Sequence, residues 1–275
     1  MVKPKEFCAE NYADALALCE ASDMRGLYMP EVAQARIVGE APWNRFYDSL
    51  SFRVTGKIKG EPFVLYVHTE HPLTTAYGVR TAMKEGLVNG ALHFPQDAFE
   101  QLLERDGERA PDGTYLVKMV DHEKLRKSSS GVISVDDALE HPQTVPFLGS
   151  EERAEHYLKA FRNVHGQNIG VWHCDDLHDS GPLVRPLVVG YDYLYDNGLD
   201  GYYYHSIARL FGVPRAVASA GAEGVAREAR QKISGESALD EAVESMFGYV
   251  HGLRHTDSIT REGLKETLVP YFPRK

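Results

Sequence analysis

The sequence has little cysteine and no long hydrophobic run, and both absences exclude classes of protein. Only Cys8, Cys19 and Cys174 occur among its 275 residues. They are too few and too irregularly spaced for a disulfide framework or a paired-cysteine zinc knuckle, so we expect a reducing, cytoplasmic compartment. The longest apolar stretches, such as PFVLYV and LVRPLVVG, are far shorter than the roughly 20 residues that cross a membrane. We therefore expect a soluble protein that does not enter membranes.

Several motifs for nucleotide and acyl chemistry are also missing. The chain has neither a GxGxxG nor a GxxxxGK[ST] phosphate-binding loop, and it has no GxSxG nucleophile elbow.

Basic residues are outnumbered, with 30 Lys and Arg against 40 Asp and Glu, which gives a formal charge of −10. Because phosphate binding relies on clustered positive charge, this balance disfavours a protein that holds nucleic acid over its whole surface.

The patterns that are present predict a mixed fold, α+β or α/β. Alternating residues in SFRVTGKI, a KGE turn and the run PFVLYVH indicate a β-hairpin. Asn11, Ser134 and Ser150 each precede an amphipathic stretch and are typical helix caps. Strand and helix patterns alternate through the first two thirds of the chain, after which the pattern is helical. We predict a sheet-containing body over residues 1–198 and a helical C-terminal part over residues 199–275.

The most chemically loaded segment is GVWHCDDLHDSGP, residues 170–182, which follows an apolar run. Imidazole and carboxylate groups are ligands that zinc, manganese and iron use in proteins. We predict His173, Asp175 and His178 as metal ligands and Asp176 as a catalytic acid-base group. Adjacent residues of a strand point to opposite sides, so convergence requires the turn that the following Gly-Pro pair indicates. The alternative is a polar loop whose side chains satisfy backbone groups where a strand ends.

Two further groups have the spacing of ligands or acid-base residues. His68 and Glu70 lie where the strand PFVLYV ends, and we predict them as catalytic acid-base residues. His251 and His255 are four positions apart, which places two imidazoles on one face of a helix, so we predict them as a metal-binding pair. Their segment, HGLRH, lacks the glutamate of the HExxH zinc signature. The alternative for both groups is ordinary packing and backbone capping.

A different signal lies in SIARLFGVPRAVASAG, residues 206–221. Small and apolar residues around a glycine have the spacing of a helix-turn-helix, with Pro214 at the start of the second helix. Residues 205–232 carry five Lys or Arg against two Glu, a local reversal of charge that suits phosphate contact. We predict Arg209 and Arg215 as the nucleic-acid contacts. The alternative is a tight helical hairpin, which uses the same glycine.

The order of elements over residues 50–121 resembles the core of restriction-endonuclease-like nucleases. The resemblance is carried by the hairpin KGEPFVLYVHT, a helix, the segment HFPQDAFEQLLE and the strand TYLVKMV. Those nucleases place Glu and Lys two positions apart on the second strand, where this sequence has Tyr66 and His68. The resemblance therefore implies nucleic-acid binding on a catalytically degenerate nuclease-like core.

Three functional hypotheses follow from these observations. The leading one is a metal-dependent hydrolase of a small molecule, in which zinc, manganese or iron lowers the pKa of bound water and a neighbouring carboxylate acts as base. The second is a protein that binds nucleic acid through residues 206–221. The third is a structural or oligomeric protein without a catalytic site.

Overall fold

The computed structural model describes residues 4–173, 177–190, 198–200 and 208–214. Within these ranges the chain forms eight α-helices, twelve β-strands and one 3-10 turn at Pro72–Thr74. The helices are α1 Tyr12–Ala21, α2 Met29–Ile37, α3 Ala76–Lys84, α4 Gln96–Glu104, α5 His122–Lys127, α6 Val135–Glu140, α7 Thr144–Leu148 and α8 Glu151–His165. The strands are β1 Lys5–Ala9, β2 Met24–Gly26, β3 Tyr47–Ile58, β4 Glu61–Val67, β5 Leu87–Val88, β6 Ala91–His93, β7 Val117–Val120, β8 Gly131–Ser134, β9 Asn168–Trp172, β10 Leu183–Gly190, β11 Gly198–Asp200 and β12 Ala208–Pro214.

Short polar side chains start the helices where the sequence predicts. The Asn11 side chain accepts the N–H of Asp14 and so caps α1. Ser150 caps α8 through the N–H of Arg153, and the helix ends before Gly166. Each cap satisfies a backbone donor that has no partner within its own helix. The predicted hairpin is confirmed by the antiparallel pairing of β3 with β4.

All twelve strands belong to one sheet, with the main order β1-β12-β3-β10-β11-β9-β8. The remaining strands join this path from the side: β2 pairs with β12, β4 with β3 and β7, and β6 with β10 and β5. The long strands β3 and β10 lie next to each other at the centre. The predicted mixed α/β body with a sheet is confirmed.

Helices cover both faces of the central strands. Successive side chains of a strand point to opposite sides, so each strand contributes residues to both cores. On one face, Tyr47 and Tyr66 belong to a core with residues of α2, α7 and α8. On the other face, Phe52 and Leu65 belong to a core with residues of α1, α3 and α4. This double coverage explains why β3 is buried over ten consecutive residues.

The first of these faces has a polar interior. Ser49, Ser51, Arg53 and Thr55 alternate along β3, and each is at most 1% exposed. Buried polar groups are costly unless they are hydrogen-bonded, and the serines are: Ser49 Oγ donates to Leu187 O at 2.9 Å. The polar column therefore forms part of the packed structure.

The helix-turn-helix prediction for residues 206–221 is wrong. Residues 208–214 form β12, which pairs with β1, β2 and β3. Local helical spacing is a weak preference, and the hydrogen bonds to three neighbouring strands outweigh it. Within the predicted helical part, residues 199–275, the described residues 199–200 and 208–214 are strands. Arg215 and the other residues of that part lie outside the described residues, so their helical character stays a prediction. No helix in the described part of the chain is long and apolar enough to span a membrane.

Candidate functional site

In the described structure, polar side chains lie around the ends of β9 and β11. These strands run parallel, and Trp172 pairs with Asp200 at their carboxyl ends. Segment 201–207 follows Asp200 directly, and segment 174–176 follows His173, the residue after Trp172. Polar side chains that follow parallel strands at one edge of a sheet are brought together there. We call the described residues around these two strand ends the β9–β11 corner.

Two glycines set the spacing of the strands at this corner. Gly198 pairs with Gly170, and a Cβ added at Gly198 would lie 2.2 Å from the carbonyl oxygen of Gly170. That distance is far below any tolerated contact, so only glycine fits at position 198. The close approach fixes β11 against β9 and thereby fixes where the next segment starts.

His173, a predicted metal ligand, lies at the corner and is held by serines. Ser130 Oγ donates to the carbonyl oxygen of His173 at 3.0 Å and accepts its backbone N–H at 3.1 Å. The imidazole Nε2 lies 3.2 Å from Ser128 Oγ. The pKa of His173 is lowered to about 4, mainly by burial and also by the neighbouring His141 and Arg53.

His141 stands beside His173, with the ring centroids 5.5 Å apart. Its Nε2 lies 3.0 Å from Ser129 O, a carbonyl that can only accept, so Nε2 carries the proton. Its Nδ1 then accepts the N–H of Gln143 at 3.2 Å. Burial lowers the pKa of His141 as well. The two imidazoles are therefore neutral neighbours at neutral pH.

Gln143 connects the two strands of the corner through its side-chain amide. Its Nε2 donates to Trp172 O at 3.1 Å and to Leu199 O at 3.3 Å, one carbonyl from each strand. Its Oε1 accepts the hydroxyl of Tyr66 at 2.9 Å. A fully buried amide with these partners stabilises the corner and restrains its geometry.

Two buried arginines of the central strands supply positive charge. Arg53 of β3 and Arg185 of β10 occupy paired positions of the central ladder, and both are buried. Arg185 donates to the carbonyl of Asn89. The effect of Arg53 on the pKa of His173 indicates that its field reaches the corner. The arrangement therefore favours neutral imidazoles.

We expect His173 to stay neutral until the pH falls to about 4. A histidine with a lowered pKa binds fewer protons when folded, so its contribution to stability is present above the unfolded value of about 6.5 and is lost as the pH falls toward 4. Nitrogen-15 NMR of the imidazole measures the titration directly. In a His173→Gln variant, the part of the stability loss at low pH that comes from His173 should disappear. Titration of the wild-type His173 imidazole near pH 6.5 would contradict the assignment.

The predicted acid-base residues His68 and Glu70 have different environments. His68 is 2% exposed, with Nδ1 2.7 Å from Ser51 Oγ and Nε2 2.7 Å from Pro146 O. Burial lowers its pKa to about 4. Glu70 is exposed, and its charge acts on Arg25 and Tyr28.

The remaining predicted residues are dispersed or lie outside the described ranges. His178 is exposed, and its Nδ1 lies 2.6 Å from Ser180 Oγ. Arg209 is on β12, where its guanidinium pairs with Glu6. The predicted residues outside the described part of the chain are Asp175, Asp176, His251, His255 and Arg215.

The described residues contain no group of three or more His, Cys, Asp or Glu side chains that could hold a metal ion. The described members of the predicted metal site, His173 and His178, bond to serines instead. The expectation of zinc, manganese or iron at Asp175, His251 or His255 is a prediction for residues that the structure does not describe.

Sequence reasoning missed Gln143, Ser128, Ser130 and the two arginines of the central strands. One usable signal was present: Arg53 lies within the strand pattern SFRVT, and Arg185 interrupts the apolar run LVRPLVV. A charged residue within a strand buried on both faces must point into the interior, which marks a polar network. Gln143 and the serines lie in loop or cap positions and carry no such signal.

Comparison with known proteins identified an informative structural match. No family model matches the chain, and no curated protein matches it. A solved structure from work on the accommodation of massive sequence variation in Nanoarchaeota by the C-type lectin fold is 42% identical, with a TM-score of 0.67. The match covers 76% of this chain and 97% of that one.

This match corrects the leading functional prediction. The relative is a C-type lectin-fold protein, and the described residues form no metal-binding cluster, so the metal-dependent hydrolase interpretation is wrong. The nuclease-like and helix-turn-helix interpretations are wrong for the same reason. The similar order of a hairpin, helices and a strand over residues 50–121 arises within a different sheet, in which Tyr66 and His68 are buried.

Proposed function

Since the chain belongs to the family of C-type lectin-fold proteins represented by this nanoarchaeal structure, we propose that it is a binding protein whose contact surface is carried by segments at the β9–β11 corner. The observation that carries the proposal is this family membership. The relative's fold is described as accommodating massive sequence variation. We extend that property to the segments that begin at the corner.

The construction of the corner supports this proposal. Gln143 holds the ends of β9 and β11 through two backbone carbonyls, and Ser130 holds His173 through its backbone. Each of these bonds lies within the described scaffold. These described bonds restrain the strand ends, and recognition residues are commonly carried by loops that a restrained scaffold positions.

The sequence of one of these segments also suits binding. Residues 201–207 read GYYYHSI and connect β11 to β12. Tyrosine supplies a large amphipathic contact area with few rotatable bonds, and it is enriched in recognition loops for that reason. We therefore assign Tyr202, Tyr203, Tyr204 and His205 to the contact surface.

We expect these four positions to tolerate replacement far better than a matched set in the interior. One displayed library randomises residues 202–205, and a control library of the same size randomises Ser49, Ser51, Arg53 and Thr55, which are buried. The fraction of members that resists proteolysis should be at least tenfold larger in the first library, because burying mismatched side chains destabilises a packed core.

The same library tests recognition. Selection against one immobilised probe protein, streptavidin, should yield binders with dissociation constants of about 1 µM or tighter, equivalent to about 8 kcal/mol of binding free energy. Returning residues 202–205 to the natural sequence should remove that acquired binding. Equal loss of folding in both libraries, or a well-folded library that yields no binders, would contradict the proposed function.

A further inference from the structure

Asp48 is a buried carboxylate at the junction between two parts of the sheet. It lies near the start of β3 and is 3% exposed. Its Oδ2 accepts the backbone N–H of Arg209 in β12 at 2.8 Å. The ladder between β12 and β3 consists of one pair, Leu210 with Asp48, whereas β12 pairs with β1 over five residues. The Asp48 side chain therefore supplements the shortest pairing of β12.

The charged groups around Asp48 do not neutralise it fully. On β12, the Arg209 guanidinium pairs with Glu6 of β1, and Glu6 also binds Arg45, which precedes β3, at 2.8 Å. Tyr47, the residue before Asp48, has its hydroxyl 3.5 Å from Glu6 Oε2.

The strands on the other side of β3 contribute a second carboxylate. Asp48 pairs with Val188 of β10, and Val188 pairs with Asp200 of β11. Asp48 and Asp200 therefore occupy the same row of the sheet, and the negative charge of Asp200 disfavours ionisation of Asp48.

The proton affinity of Asp48 agrees with this geometry. The pKa of Asp48 is raised to about 7, mainly by burial and also by the charge of Asp200, while the Arg209 N–H and guanidinium act in the opposite direction. The carboxyl group therefore changes its charge near neutral pH without leaving its place in the sheet.

We propose that Asp48 is a proton-controlled latch between β12 and β3, which keeps β12 docked when neutral and favours its release when ionised. The latch regulates the proposed binding surface, because β12 follows directly after residues 201–207, and this step rests on the function proposed above. Protonation of one buried carboxyl group thus controls how firmly β12 is held against β3.

The direction of the pH dependence follows from proton linkage. When β12 separates from β3, Asp48 meets water and its pKa returns toward the ordinary value of about 4. Opening therefore releases a proton between about pH 4 and pH 7, so the opening equilibrium rises with pH by up to tenfold per unit across that interval. Above pH 7 both states are ionised and the dependence ends.

Amide hydrogen exchange on the full chain tests the latch. After correction for the intrinsic base-catalysed rate, the opening constant reported by the amides of Leu210 and Phe211 should rise at least tenfold between pH 5 and pH 7.5. In Asp48→Asn, which keeps an oxygen acceptor for the Arg209 N–H and carries no charge, the constant should not change with pH. Asp136→Asn is the matched control at an exposed aspartate paired with Arg162, and it should behave as the wild type.

A second measurement keeps the proposal testable if Asp48→Asn does not fold. Carbon-13 NMR of the wild-type carboxyl groups should show one aspartate that titrates near pH 7. The latch is refuted if Asp48 titrates below pH 5, or if Asp48→Asn retains the wild-type pH dependence of exchange. Both readouts use the protein without any ligand, so failure of the latch is separate from failure of the binding function, which the libraries decide.

Discussion

Replacing Arg36 with alanine is expected to reduce the free energy of unfolding by about 3 to 4 kcal/mol, because it creates a cavity and removes three buried hydrogen-bond donors. Arg36 lies on α2 and is 2% exposed. Its guanidinium donates to Tyr157 Oη at 2.9 Å, to Val189 O at 3.3 Å and to Arg45 O. One side chain thus ties α2 to α8, to the chain entering β3 and to the end of β10.

The aromatic surroundings of Arg36 add to this effect. Its guanidinium lies 5.2 Å from the Trp43 ring centroid and 5.6 Å from that of Tyr47, so both rings contribute cation–π attraction to a buried charge. Arg36→Met keeps most of the packing volume and removes the donors and the charge. We expect it to cost about 2 kcal/mol, from acceptors that lose their partners.

Chemical denaturation followed by tryptophan fluorescence and circular dichroism measures these differences. The matched control is Arg126→Ala, which removes an exposed arginine paired with Glu123 at 3.0 Å on α5 and should cost less than about 1 kcal/mol. If the Arg36→Ala protein is as stable as this control, the Arg36 guanidinium makes no net contribution to the free energy of unfolding. Equal losses for the alanine and methionine variants would assign the whole effect to the hydrogen bonds and the charge, and none of it to packing volume.

Local signals predicted the elements of the fold that local interactions determine. The Asn11 and Ser150 caps and the hairpin of β3 and β4 depend on residues close in sequence, and all are found. β12 depends on strands that are far away in the chain, since it pairs with β1 around residues 5–9 and with β3 at Asp48. Its sequence, ARLFGVP, fits a helix and a strand about equally. The pairing with those distant strands therefore determines that it forms a strand.

The candidate site was predictable only in part for a related reason. The sequence identified His173 and the neighbourhood of β9, because polar residues after an apolar run indicate a strand end. It did not show that Ser128 and Ser130 would fill the hydrogen-bonding positions of His173. A single sequence also cannot separate a histidine that binds a ligand from one that is satisfied within the protein, since both need the same ring nitrogens.

His68 illustrates this ambiguity most clearly. Pro146 O can only accept, so Nε2 of His68 carries the proton and Nδ1 accepts the hydroxyl of Ser51. This hydroxyl–imidazole contact has the form of a catalytic pair. However, Ser51 is 0% exposed, and its oxygen also accepts the N–H of Met29 at 2.8 Å. The pair therefore joins β3, the residue that follows β4 and the first turn of α2 within the core.

Replacing Ser51 with alanine is expected to reduce the free energy of unfolding by about 2 to 4 kcal/mol, because the Met29 N–H and His68 Nδ1 both lose their buried partner. The change removes one oxygen atom, so the cavity is small and the loss comes mainly from the two unsatisfied groups. Equilibrium denaturation of the variant measures it. The matched control is Ser22→Ala, which removes an exposed hydroxyl bonded to Leu18 O and should change stability by less than about 0.5 kcal/mol.

A double-mutant cycle separates the Ser51–His68 contact from the other roles of each residue. His68→Leu alone leaves Pro146 O and the Ser51 hydroxyl without their partner, and combining it with Ser51→Ala removes both members of the shared hydrogen bond. The double variant should therefore be more stable than the sum of the single losses predicts, by about 1 kcal/mol or more. If the two changes in the free energy of unfolding add strictly, the two side chains do not interact. If Ser51→Ala is as stable as the wild type, this hydrogen-bond network does not stabilise the core.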